Sequence, residues 1–185
     1  MKATGIVRRI DDLGRVVIPK EIRRTMKIRE GSPLEIYTDH EGEVIFKKYS
    51  PIGELSSFAS QYAETVHKTC KMAVIICDRD TVIACAGVSK KDYLEKPISD
   101  SAERIIEGRA LYQFQNGSEQ YTVTRDGAGD MYIRCAMPIL TEGDVIGCVI
   151  SAASASKPDA EPISPELEAK LVQTAANFLG KQLET

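Results

Sequence analysis

The sequence predicts an α+β protein in two parts: a small basic head of hairpins with one short helix, then a larger acidic body of helices on an antiparallel sheet. Three observations carry that reading. Charge is divided along the chain. Residues 2–29 hold nine basic and three acidic side chains, a net of +6, whereas residues 51–185 hold 13 basic and 19 acidic, a net of −6. Apolar residues alternate with period two over short stretches, and recur at helical spacing in two places that bracket the body. Turn residues separate these stretches at short intervals.

The head spans residues 1–50. Alternation over Thr4–Ile10 reads as a strand, Asp11-Asp12-Leu13-Gly14 as a turn, and Arg15–Ile18 as the next strand. Pro19 ends the pairing and suits a first helical turn. Ile22 and Met26 then give a short helix, Lys20–Lys27, one apolar stripe. After the break at Glu30-Gly31-Ser32-Pro33, Leu34-Ile36-Thr38 and Val44-Phe46-Lys48 alternate around a turn at His40-Glu41-Gly42, a second hairpin. About fifty residues with few large side chains do not bury enough surface to be stable alone. No disulfide or metal is expected to help, so the head is predicted to exist only as an interlocked dimer.

The body spans residues 51–185, with Ser50-Pro51 marking its start. Ile52, Leu55, Ala59, Tyr62, Val66 and Cys70 predict a helix over 52–70. Leu167, Leu171, Ala175 and Phe178 predict another over 164–183, with Ser164 as N-cap and Pro165 as first helical residue. The sheet core, 72–153, is expected from strands Met72–Cys77, Thr81–Ala86, Gln120–Arg125, Met131–Ile139 and Val145–Ala153. A helix at Asp100–Glu107 separates the first hairpin from a three-stranded meander, and Asp126–Asp130 is read as a turn. The two bracketing helices are free to pack on each other, on the sheet or on a second subunit.

Composition narrows the function classes. With 43% hydrophobic and 28% charged residues among 185, the chain reads as globular. Its apolar runs are too short for a bilayer, and Met1–Gly5 lacks a signal-peptide core, so a cytoplasmic location and no membrane partner are expected. Cys70, Cys77, Cys85, Cys135 and Cys148 form no Cys-x-x-Cys pair, which disfavours a disulfide framework or zinc site. Four of them lie in apolar strand-like runs, where cysteine acts as a small buried hydrophobe. His67 on a helix and His40 in a turn have no Cys or acid at ligand spacing. Neither a catalytic constellation nor a metal or cofactor site is expected.

The basic cluster is the strongest signal. Lys2, Arg8, Arg9, Arg15, Arg23 and Arg24 are the candidate DNA-binding residues. A planar guanidinium can bond two phosphate oxygens, or the O6 and N7 of guanine. Solvated surface with ion pairs to Asp11, Asp12 and Glu21 is the plainer reading. Six arginines within 29 residues of a module expected to dimerise favour double-stranded DNA.

The run TGIVRRIDDLGRVVIP from Thr4 to Pro19, with Ile22-Arg23-Arg24, Leu34-Glu35-Ile36 and Lys47-Lys48-Tyr49, resembles the swapped-hairpin DNA-binding domain of the AbrB transition-state regulator family. The resemblance implies a β-barrel dimer whose subunits exchange hairpins, with Arg8, Arg9, Arg15, Arg23 and Arg24 matching the family's DNA-contacting set. Lys27 departs from it, since relatives often carry glycine there. A left-handed backbone at that position would cost lysine on the order of 1 kcal/mol. The full chain is similar to the stage V sporulation regulator family, through Ile76-Cys77-Asp78-Arg79-Asp80, the stretch Ser89–Leu94 and the final amphipathic helix. That similarity implies a GAF-like α/β sandwich with flanking helices, a role in late (forespore) gene expression, a homotetramer joined through the body, a small-molecule ligand of unknown identity, and a place on the nucleoid.

Two other classes compete. Related swapped-hairpin modules are antitoxins, although those carry a short acidic tail in place of a folded body. Some GAF-fold proteins are cysteine-dependent redox enzymes, which need an exposed, low-pKa thiolate that Cys70, Cys77 and Cys85 do not suggest.

Overall fold

The computed structural model describes residues 4–127, 130–157 and 163–184. Lys2 and part of the turn expected at 126–130 lie outside the described residues. The chain divides into two compact units, Met1–Tyr49 and Ser50–Thr185.

In the first unit, residues 4–18 carry no helix or strand and turn at 12–14, and helix α1 (Lys20–Thr25) follows with Pro19 at its N-cap. The chain leaves α1 through Lys27 at φ 52°, the left-handed conformation that glycine adopts without strain. Strands β1 (Leu34–Thr38) and β2 (Val44–Lys48) pair antiparallel with Ile36 opposite Phe46. Their turn is held by Asp39, whose Oδ1 accepts from the backbone N–H groups of Glu41 and Glu43. Alternation and turn chemistry thus place this hairpin where the sequence predicts it.

Residues 4–10 and 15–18 differ from the prediction. Among the described residues they form no ladder, and the turn between them is closed by Asp11 N–H donating to the Arg15 carbonyl, 3.1 Å. Val7 is 84% exposed and Val17 67%. A strand needs a partner strand, and none of the described residues supplies one here.

The second unit begins with α2 (Pro51–Glu54) and α3 (Ser56–Cys70), so the single helix expected over 52–70 is broken at Leu55. Ser50 caps α2, its Oγ accepting from Gly53 N–H. Next come β3 (Ala73–Asp78), β4 (Val82–Ala86), a one-turn α4 (Lys90–Tyr93) and α5 (Asp100–Glu107). Then follow β5 (Tyr112–Gln113), β6 (Met131–Thr141), β7 (Asp144–Ser154) and α6 (Pro165–Lys181).

The five strands form one antiparallel sheet in the order β4-β3-β7-β6-β5. Both faces are covered. On β3, Val74 and Ile76 join Ile52, Ala59, Val172 and Leu179 of α2, α3 and α6, whereas Ile75 and Cys77 join Ile98 and the α5 residues Ala102 and Ile106. Close packing of β3 on β7 depends on Gly147, where a Cβ would come within 2.2 Å of the Cys77 carbonyl oxygen.

The expected strand Gln120–Arg125 is not a strand. Val123 is buried and Thr124 bridges to Ile98, but the place beside β6 is taken by the two-residue β5. His67 ends α3 structurally: its Nδ1 lies 2.9 Å from the Met72 carbonyl, and its own carbonyl accepts from Lys71 N–H. Cys77, Cys85, Cys135 and Cys148 are buried, as their apolar runs predict, and all five thiols are free. Among the described residues no helix is long and apolar enough to cross a membrane, and no group of His, Cys, Asp and Glu is placed to hold a metal ion.

Candidate nucleic-acid interface

Arg8 and Arg9 sit exposed on the segment before the turn. Arg8 donates to the Val7 carbonyl, at 3.5 Å. On α1, Arg24 is exposed. Arg23 is half-buried, and its buried Nε has no hydrogen-bond partner among the described residues. A buried donor of a charged group carries a penalty until an acceptor arrives.

Arg15 is the most tightly defined of the set. It emerges from a turn built by Asp11. The Asp11 carbonyl accepts from Gly14 N–H at 3.0 Å, and Gly14 takes φ 76°, which the absence of a Cβ allows. Asp11 Oδ1 accepts from the N–H groups of Leu13 (3.1 Å) and Arg15 (2.8 Å), while Oδ2 accepts from Arg15 Nε at 2.8 Å. These bonds, the Arg15 backbone N–H foremost, hold the Asp11 carboxyl below its usual range. The Arg15 side chain stays 68% exposed, with Nε the atom bound to Asp11.

Composition alone reads Asp11 as a nearby counter-charge. The signal that could have shown more is an Asp four residues before an Arg, across a glycine turn, where an Asx side chain folds back on its own backbone.

The acidic hairpin contains its charge locally. Tyr37 Oη donates to Glu35 Oε2 at 2.5 Å, and Lys47 Nζ sits 4.4 Å from the Tyr37 ring centroid.

The second unit holds two further features. A cleft of about 440 Å³ is lined by Gln113, Phe114, Asn116, Tyr132, Arg134 and Glu168. Behind it Glu168 is buried, and its Oε1 accepts from Arg134 Nε at 2.7 Å and from Ser151 Oγ. Elsewhere, Phe58 and Tyr62 of α3 meet Phe178 of α6 with ring centroids 5.6 and 6.1 Å apart. Phe58 and Phe178 remain partly exposed. The four buried cysteines are poorly placed to react. Burial pushes the Cys77, Cys85 and Cys148 thiols up, and that of Cys135 up to about 12.

Comparison with known proteins agrees with this division. The family model described as stage V sporulation protein T C-terminal, transcription factor, matches residues 54–184. The model described as antidote-toxin recognition MazE, bacterial antitoxin, matches residues 7–53. Stage V sporulation protein T of Bacillus subtilis (strain 168) is 50% identical over 184 residues, covering 100% of this chain and 99% of that protein. The transition state regulatory protein AbrB of the same organism is 63% identical over 51 residues, 28% of this chain and 52% of that one. Among solved structures, the blue-light absorbing form of the Thermosynechococcus elongatus PixJ GAF domain superposes with a TM-score of 0.50 at 16% identity, covering 74% of this chain and 89% of that one. That likeness concerns the fold alone, and gives the second unit a GAF-like architecture.

Proposed function

We infer from its sequence that this chain, which belongs to the stage V sporulation protein T family, is a DNA-binding transcription regulator of sporulation genes. The AbrB-like head and stage V relationship expected from the sequence are both borne out. The observation that carries the reading is the basic, 63%-identical head, whose Arg8, Arg9, Arg15 and Arg24 stand exposed on a unit of a size that does not bury enough surface to be stable alone.

Residues 1–50 act as the DNA-binding domain and residues 51–185 as the sensory or assembly domain. The head works as a hairpin-exchanged dimer. A second copy would supply the strand partners that residues 4–10 and 15–18 lack, cover Val7 and Val17, and offer an acceptor to Arg23 Nε. Arg8, Arg9, Arg15, Arg23 and Arg24, with Lys2, contact the duplex. Phosphate contacts supply affinity, while a few arginines and DNA deformability supply selectivity. The partly exposed aromatic face of α3 and α6 suits the assembly of dimers into a tetramer, and the cleft beside Arg134 suits a small-molecule ligand. The protein acts in the cytoplasm, on the nucleoid, in late (forespore) gene expression.

The test is fluorescence-anisotropy titration of the full chain with duplex DNA. Arg15→Ala or Arg24→Ala should each weaken binding at least tenfold, as expected for loss of a charge-assisted contact of about 1.4 kcal/mol or more. Neither change should dissociate the dimer. Unchanged affinity in both variants would refute the assignment.

The match of residues 7–53 to an antitoxin family keeps a second reading in view. The folded body of unit two argues against it, and co-purification with a small toxic partner would favour it. Cysteine redox chemistry is disfavoured by the buried, high-pKa thiols.

A further inference from the structure

We propose that Asp11 is a positioning residue for DNA binding, clamping Arg15 so that its two terminal nitrogens face the duplex, and that its negative charge aids recognition. This rests on the DNA-binding reading above. A carboxylate on a DNA-facing surface repels phosphate, so its removal should ordinarily tighten binding. The local geometry points the other way. One carboxylate oxygen organises the turn through the N–H groups of Leu13 and Arg15, and the other takes Arg15 Nε in a 2.8 Å charge-assisted bond. A guanidinium bonded through Nε is left with Nη1 and Nη2 side by side, the pair that meets two phosphate oxygens or the O6 and N7 of guanine. Arginine has high rotamer freedom, which association must freeze. The clamp freezes much of it beforehand, on a side chain still 68% exposed. Asp12, exposed alongside, makes none of these bonds and supplies the control.

The two aspartates therefore carry the same charge and opposite consequences. Asp11→Asn keeps an Oδ1 acceptor for the backbone donors of the turn and loses the charged clamp on Arg15. With a duplex selected by the unmodified full chain from a randomised pool, Asp11→Asn should weaken binding about tenfold. Asp12→Asn should leave it unchanged or tighten it by about twofold. In an Arg15→Ala background the Asp11→Asn penalty should vanish, because the clamp has nothing to hold. An Asp11 that merely shaped the loop would cost the same in both backgrounds, which would overturn the proposal. So would an Asp11→Asn variant that binds more tightly, as Asp12→Asn does, since Asp11 would then compete with phosphate for Arg15. Full affinity in Arg15→Ala alone would remove Arg15 from the interface and the proposal with it. Failure of the unmodified chain to select any duplex would sink the DNA-binding reading itself.

Discussion

Replacing Glu168 by alanine tests how the second unit is held together. Glu168 is 3% exposed, and its Oε1 accepts from both Arg134 Nε and Ser151 Oγ, tying the first turn of α6 to β6 and β7. Removing one partner of a buried, hydrogen-bonded ion pair is strongly destabilising, at about 3–5 kcal/mol. Arg134 keeps 20% of its side chain in solvent, which places the expected loss near the lower end, about 3 kcal/mol. With a urea dependence of about 2 kcal/mol per molar, the unfolding midpoint should fall by about 1.5 M. The chain has no tryptophan, so far-UV circular dichroism is the suitable probe. Glu168→Gln, which keeps an acceptor and loses the charge, should cost about half as much. The combined change Ser151→Ala, Arg134→Met and Glu168→Leu should be nearly neutral, because an apolar group of similar volume replaces a desolvated pair without stranding a charge. A Glu168→Ala midpoint within about 0.3 M of the unmodified protein would refute the reasoning.

Three other expectations follow from particular residues. Lys27→Gly relieves the left-handed backbone at φ 52° and should stabilise the head by about 0.5–1 kcal/mol, read as a raised thermal midpoint; a lowered midpoint would contradict it. The Asp130 carboxyl accepts from Ser154 Oγ, Ser156 Oγ and Ser156 N–H, which hold it well below its usual range. Its folded pKa is depressed, so its contribution to stability is present above the unfolded value of about 4 and is lost as pH falls below it. Asp130→Asn should therefore flatten the acid limb of the stability–pH curve, and an unchanged limb would count against this role. With a thiol reagent in native buffer, Cys70 should react, while Cys77, Cys85, Cys135 and Cys148 should stay protected until unfolding. Rapid native labelling of the buried four would reopen the redox reading.

Local signals were read most faithfully where they are complete within one chain. Alternation about the His40–Gly42 turn placed both strands of the second hairpin, and the Ser164-Pro165 cap placed the start of α6. Residues 4–18 have the same alternation, yet form no ladder, because alternation sets which side chains share a face and supplies no hydrogen-bond partner, and none of the described residues pairs with them. Gln120–Arg125 looked like a strand since Val123 points inward, but burial there comes from packing over α5's face of the sheet. The strand that pairs with β6, Tyr112–Gln113, is two residues long and too short to show a period. The break at Leu55 was hidden because apolar spacing runs straight through it. At the candidate interface, residue type and clustering single out the arginines proposed to meet DNA. The role of Asp11 depends on which atoms meet across a turn, and charge counting is blind to that.

Salt dependence of DNA binding tests the central claim most directly. If a dimeric head neutralises about eight phosphates, the slope of log K against log salt should be near −7. Arg15→Ala should make that slope shallower by about two, one phosphate per subunit. A slope near zero, unmoved by Arg15→Ala, would contradict a basic head that grips the phosphate backbone.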